Sequence, residues 1–178
     1  MSAEHEALDG NQYLTFFLAG EEYAISILRV KEIIVYGTLT KVPTMPAFVR
    51  GVINLRGSVV PVMDLGIKLG MSESPVTQCT CIIIVEVEWE GEQTVLGLVA
   101  DAVNRVIDLL PDDIEPAPAF GTHVRLDYLL GMGRVGEKFA LLLDIDRVLS
   151  LEELLEVDSI TIAEQYLDAP KATELVSA

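Results

Sequence analysis

Gly51-Val52-Ile53-Asn54-Leu55-Arg56-Gly57-Ser58-Val59-Val60-Pro61-Val62-Met63-Asp64-Leu65 is two apolar runs joined at an Arg-Gly corner. Val and Ile suit a pleated, half-buried surface, Gly57 can take the positive φ of a tight turn, and Pro61 fits a sheet edge or bulge. The stretch predicts a β-hairpin whose corner carries Arg56, the one cation in an oily segment. Taken alone, such an arginine reads as an ordinary solvated turn residue.

Working outward, the chain repeats itself. The first half runs Phe16-Phe17-Leu18-Ala19-Gly20-Glu21-Glu22-Tyr23, then Ala24 to Ile34, then Val42-Pro43. The second half answers with Ile84 to Glu92, Gly97 to Ile107, and Glu115-Pro116. Ala24 and Gly97, Val30 and Val103, and Pro43 and Pro116 each lie 73 positions apart. That period is too long for a solenoid and suits a small β unit made twice. Each copy reads as strand, Gly-Glu turn, strand, short break, third strand, Pro-containing connection and closing hairpin. The second closing hairpin spans Leu130 to Ile145 with its turn at Gly136-Glu137-Lys138, and its Asp144 echoes Asp64. Short strands with regular turn signals predict an all-β fold of two five-stranded barrels.

The expected divisions are an N-terminal tail over 1–12, a first barrel over 13–70, a second over 80–148, a short amphipathic helix over 149–157 and a C-terminal tail over 158–178. Ser150 would cap that helix, and Leu151, Leu154, Leu155 and Val157 would form its apolar side. Met71 to Gln78 is the polar crossing between the copies.

Charge and composition exclude several functions. Acidic residues outnumber basic ones 28 to 12, a net charge of −16 over 178 residues, so nucleic acid and anionic membrane surfaces are repelled. Met1 to Gly10 does not read as a signal peptide, and no apolar run reaches the ~18 residues of a membrane helix. A cytoplasmic protein is expected. Cys79 and Cys81, two apart at the start of a strand-like run, are read as structural thiols on one face. With only His5 and His123 besides, no metal set forms.

Catalysis requires a constellation, and none is present. A serine or cysteine nucleophile lacks a neighbouring histidine base, and Gly131-Met132-Gly133 lacks phosphate-loop spacing. His123 has no helical, carboxylate-flanked setting for accepting a phosphoryl group and reads as a loop residue. Asp64, Asp101 and Asp144 are expected to be solvated strand-end carboxylates. Barrels without catalytic groups usually bind other macromolecules.

The arrangement of Glu22-Tyr23-Ala24-Ile25, Val30-Lys31-Glu32-Ile33, Pro46 to Gly51, Asn54-Leu55-Arg56-Gly57 and Pro61 to Leu65 closely resembles the CheW-type chemotaxis coupling proteins. The match continues through Gly97 to Asp101, Ile114 to Pro118 and Leu143-Asp144-Ile145, covering about Tyr13 to Leu155. The resemblance implies two SH3-like five-stranded barrels around a shared apolar seam, in agreement with the duplication. It implies a non-enzymatic adaptor, without cofactor, joining the cytoplasmic hairpin tip of chemoreceptors to the regulatory domain of the CheA histidine kinase. It further implies recruitment to membrane-associated receptor arrays and lateral association within them. Receptor-binding residues of the family fall on Val30, Glu32, Ile33, Arg56, Val103 and Val106. Ile33, Val103 and Val106 fit a core equally well, and no short motif assigns the kinase-facing residues. An isolated regulatory domain of the kinase would carry flanking dimerisation or ATP-binding sequence, for which Met1 to Gly10 and the tail after Gln165 leave no room. A small barrel enzyme would turn over substrate alone.

Overall fold

The Arg56-Gly57 corner is a two-residue hairpin: Leu55 pairs with Ser58, and both central residues have positive φ, Arg56 at 52° and Gly57 at 87°. This is the backbone sign pattern whose twist matches that of the flanking strands. Asn54 Oδ1 accepts from the Gly57 N–H at 2.8 Å, fixing the turn. The hairpin sits in a computed structural model that describes residues 11–89, 91–117 and 128–148.

In chain order the elements are β1 (Gln12–Leu18), β2 (Glu21–Ser26), a 3₁₀ turn (Ile27–Arg29), β3 (Val30–Val35), β4 (Val49–Leu55), β5 (Ser58–Asp64), α1 (Leu65–Lys68), β6 (Cys81–Trp89), β7 (Glu92–Ala100), β8 (Ala102–Asp108), a 3₁₀ turn (Pro111–Asp113), β9 (Ile114–Glu115), β10 (Leu129–Val135), β11 (Lys138–Leu143) and α2 (Ile145–Val148). Two sheets result, one ordered β8-β1-β2-β11-β10-β9 and the other β3-β6-β7-β5-β4. The fold is all-β with two β-rich units, as expected, the short β9 adding a sixth strand to one.

The sheets are not the contiguous halves 13–70 and 80–148. The β1-β2 hairpin lies in the sheet of β8 to β11, and the β6-β7 hairpin lies with β3, β4 and β5. Each copy lends its first hairpin to the other copy's sheet. The duplication is preserved through the exchange: Leu142 pairs in parallel with Ala24, and Val62, 80 positions before Leu142, pairs in parallel with Gly97, 73 positions after Ala24. Hydrophobic period fixes which residues are buried, not which strand they pair with, so contiguous and exchanged pairings read alike in sequence.

Exchange explains the core. Leu14, Phe16, Tyr23 and Ile25 of one sheet and Ile83, Val85, Leu96 and Leu98 of the other form one cluster between the sheets. Ile82 and Ile84 of β6 point the other way, into a cluster with Val60, Val62 and Val99, while Ala24, Leu109, Ala140 and Leu142 form the counterpart inside the first sheet. Strand β6 is therefore buried on both faces, which is why Cys81-Ile82-Ile83-Ile84-Val85 is an apolar run without alternation. Each fully buried Ile or Leu contributes ~1.5–3 kcal/mol relative to exposure. Much of this lies at the shared seam, so neither sheet is complete without the other.

The chain leaving β3 returns to β4 at the sheet's opposite edge, where Thr40 and Val52 exchange backbone hydrogen bonds of 2.9 Å. In the other sheet β8 leads to β9, which pairs with β10. These returns curl each sheet toward closure. The cysteines differ from expectation: β6 begins at Cys81, and exposed Cys79 precedes it in the Thr77–Thr80 turn, its carbonyl accepting from the Cys81 thiol at 2.9 Å. The expected helix over 149–157, the tails, His5 and His123 lie outside the described residues.

Candidate functional site

Strand β3 and the β4–β5 corner meet at one ion pair. Arg56 donates through Nη1 to Glu32 Oε2 at 2.7 Å and through Nη2 to Glu32 Oε1 at 3.1 Å. The fork is bidentate, the geometry guanidinium and carboxylate share most strongly. That hydrogen bonding, and then the carboxylate's charge, raise the Arg56 pKa above its already high ordinary value. Arg56 is 73% exposed and Glu32 28%. The arginine uses two of its five N–H donors here and keeps the rest toward solvent.

The other, open end of the β4–β5 hairpin is held by a second arginine. Arg50 donates through Nε to Asp64 Oδ2 at 2.8 Å and pairs through Nη1 with Glu73 at 2.7 Å, its guanidinium 5.9 Å from the Tyr36 ring centroid. Asp64 also caps α1, its Oδ1 accepting from the Ile67 N–H at 3.1 Å. Asp64 is thus a buried, paired carboxylate rather than a solvated strand end. Asp101 accepts from the Ala19 N–H at 2.8 Å, and Asp144 precedes α2 as Asp64 precedes α1. Asp64 and Asp144 end strands and start short helices, and Asp101 holds the β1–β2 turn from the β7–β8 junction, so all three are structural.

A β-bulge sets the side-chain directions on β3. Val30 pairs with Val85 but Glu32 with Ile84, so Lys31 and Glu32 together oppose one residue. The extra residue re-aims its neighbours. Val30 packs against the shared cluster, Ile33 is 42% exposed beside it, and Lys31 reaches Glu86 at 3.0 Å. Strand β8 repeats the device, pairing Val103 with Phe16 and Val106 with Leu14 while Asn104 and Arg105 both oppose Thr15. Thr15 Oγ1 pins that bulge, donating to the Arg105 carbonyl at 3.1 Å and accepting from its N–H at 3.2 Å.

Of the six residues singled out in the sequence, the structure joins Val30, Glu32, Ile33 and Arg56 on one strand and the corner tied to it. Val103 and Val106 lie on β8 of the other sheet, linked to the first four through the seam against which both Val30 and Val103 pack. Ile33 and Val106 are not core: 42% and 47% exposed, they are apolar surface. The pairs Val30–Val103 and Ile33–Val106 share the 73-residue interval, so the strip is itself duplicated. The Glu32 partnership was not legible in sequence, because 24 positions separate the charges and their strands stand at opposite edges of the sheet.

The open concavity beneath the β3–β4 connection, about 510 Å³, is lined by Tyr36, Lys41, Met45 and Arg50 among others. Among the described residues no group of three His, Cys, Asp or Glu is placed to hold a metal ion, and no helix is long and apolar enough to cross a membrane.

Residues 12–153 match the CheW-like domain family. The chain is similar to "Chemotaxis protein CheW" of Klebsiella aerogenes, 38% identical over 85% of this chain and 89% of the relative. It is also similar to the Rhizobium meliloti protein of the same name, at 31% identity over 85% of this chain and 96% of the relative. Among solved structures it resembles the scaffolding protein TtCheW from Thermoanaerobacter tengcongensis, with a TM-score of 0.71 and 30% identity over 81% of this chain and 90% of that one. These names are of chemotaxis and scaffolding proteins, not of enzymes.

Proposed function

The chain belongs to the CheW-like family, and from that premise we propose that it couples the cytoplasmic tip of chemoreceptors to the regulatory domain of the CheA histidine kinase. Its part in chemotaxis is that of a non-enzymatic adaptor. The observation that carries the receptor half is the Arg56–Glu32 corner beside the exposed Ile33: an oriented guanidinium next to surface aliphatic residues. The remaining guanidinium donors fix the register of a docked helical hairpin by bonding its carbonyls or carboxylates, and Val30, Ile33, Val103 and Val106 provide desolvated contact. Orientation and area come from different residues. Assembly at membrane-associated receptor arrays follows from receptor binding rather than from any lipid contact.

Titration of a receptor signalling-tip fragment and, separately, of the kinase regulatory domain into the purified protein tests the reading. Saturable binding of both, and of both together, is expected; binding of neither refutes it. Incubation with labelled ATP should leave the protein unlabelled, and stoichiometric phosphorylation of His5 or His123 by the kinase would refute the pure adaptor.

A further inference from the structure

The two bulges are counterparts in position but not in charge. Arg105 lies 73 positions after Glu32 and takes its place in the β8 bulge, between Val103 and Val106 as Glu32 lies between Val30 and Ile33. In the β3 copy, the hairpin corner supplies Arg56 and the carboxylate is paired. In the β8 copy the residue 80 positions after Arg56 is Gly136, which has no side chain to offer. Arg105 is exposed, and its guanidinium has no hydrogen-bond or ion-pair partner among the described residues. Its backbone is nonetheless fixed on both sides by Thr15.

We infer that Arg105 is a second recognition residue of the receptor-facing strip, and that it takes a carboxylate of the docked helical hairpin. This rests on the receptor-coupling reading above. A net charge of −16 repels an acidic partner over most of the surface. An arginine whose backbone is fixed between Val103 and Val106, and whose guanidinium has no partner among the described residues, is the place where such a partner gains an ion pair without first breaking one. Arg56 enters the complex already paired; Arg105 does not. The free cation therefore carries the salt-dependent part of binding, and the paired one the part that salt changes least.

The test is titration of a receptor signalling-tip fragment into wild type, Arg105→Gln, Arg105→Glu and Arg105→Lys at low and at physiological salt, with thermal melts of each variant. Arg105→Glu should weaken receptor binding by about tenfold or more at low salt. Arg105→Gln should flatten the salt dependence, Arg105→Lys should retain it, and the melts should coincide with wild type. Wild-type affinity and salt dependence in Arg105→Glu, with wild type binding the fragment, would overturn this inference alone. Equal loss toward the kinase regulatory domain would also overturn it. Failure of wild type to bind the fragment would remove the receptor-coupling reading and this inference with it.

Discussion

Arg56 and Glu32 form a bidentate ion pair that ties the β4–β5 corner to β3, strands at opposite edges of the same five-stranded sheet. The pair closes the barrel at one corner, while the Thr40–Val52 bridge closes it at another. An exposed pair of this kind adds little to stability. Its effect is positional: it holds the guanidinium in one orientation beside Ile33.

The corner is under backbone strain of a kind substitution can reveal. Arg56 holds a φ of 52°, which glycine adopts without cost and other residues do not. Comparing Arg56→Gly with Arg56→Ala removes the ion pair from both and isolates the backbone, so Arg56→Gly should melt about 2–4 °C higher. Gly57→Val should destabilise by ~1 kcal/mol or more through φ alone, because a Cβ there would meet open space. Melts of the three variants read this directly, and a higher-melting Arg56→Ala would contradict the backbone account.

Gly51 is constrained by closure as well as by φ. At 149° its φ is already positive, and a Cβ would stand 2.5 Å from the Thr40 carbonyl oxygen that accepts from Val52. Backbone cannot yield there without opening the barrel. Gly51→Ala should therefore cost more than 2 kcal/mol, roughly twice a simple αL penalty. Denaturant titration should show a lower midpoint, and hydrogen exchange at Val52 should rise before exchange at Ile83.

The duplication, the turn at Gly57 and the apolar strip were legible because each is written in local spacing. What was not legible depends on partners distant in sequence. Arg50 and Asp64 face each other only because β4 and β5 pair, and nothing in the local spacing around Arg50 marks its partner. The exchange of first hairpins leaves no trace in hydrophobic period, since Phe16 and Val85 are buried in either arrangement. The bulges at Glu32 and Arg105 are visible only in register. They matter most to the site, because they decide which way its charged residues face.

Arg50 and Asp64 form the buried counterpart of the Arg56 pair, with side chains 15% and 8% exposed. Removing one member strands the other in a low-dielectric setting. Arg50→Ala should destabilise by about 3 kcal/mol, and Asp64→Asn, which keeps a cap acceptor for Ile67, by less. Chemical denaturation of both variants orders these costs. A larger loss for Asp64→Asn would place the weight on the Arg50 guanidinium left without its buried carboxylate.

Tyr23 provides a pH test of the seam. Burial, and secondarily the charge of Glu21, push its hydroxyl pKa from 10.0 to about 12. The folded state holds the proton more tightly than the unfolded chain, so its contribution is complete below pH 10.0 and is lost as pH rises toward about 12. Stability should fall across that window in wild type. Tyr23→Phe, which retains packing against Phe16, should fall less steeply, and identical slopes would exclude Tyr23 as the cause.

Whether Arg56 acts by closing the barrel or by offering donors to the receptor is decided by reversing its pair. Arg56→Glu alone sets a second carboxylate against Glu32 and should weaken receptor binding by about 30-fold, a hot-spot-sized loss, while kinase binding is spared. Combining it with Glu32→Arg restores an ion pair between the same two positions and should restore the melting temperature. If the fork's remaining donors are what the hairpin engages, the reversed pair presents them from β3 rather than from the corner, and receptor affinity should stay low. Titration of the single and double variants against each partner separates the two roles. Recovery of receptor affinity in the double variant would make closure the whole of the arginine's contribution.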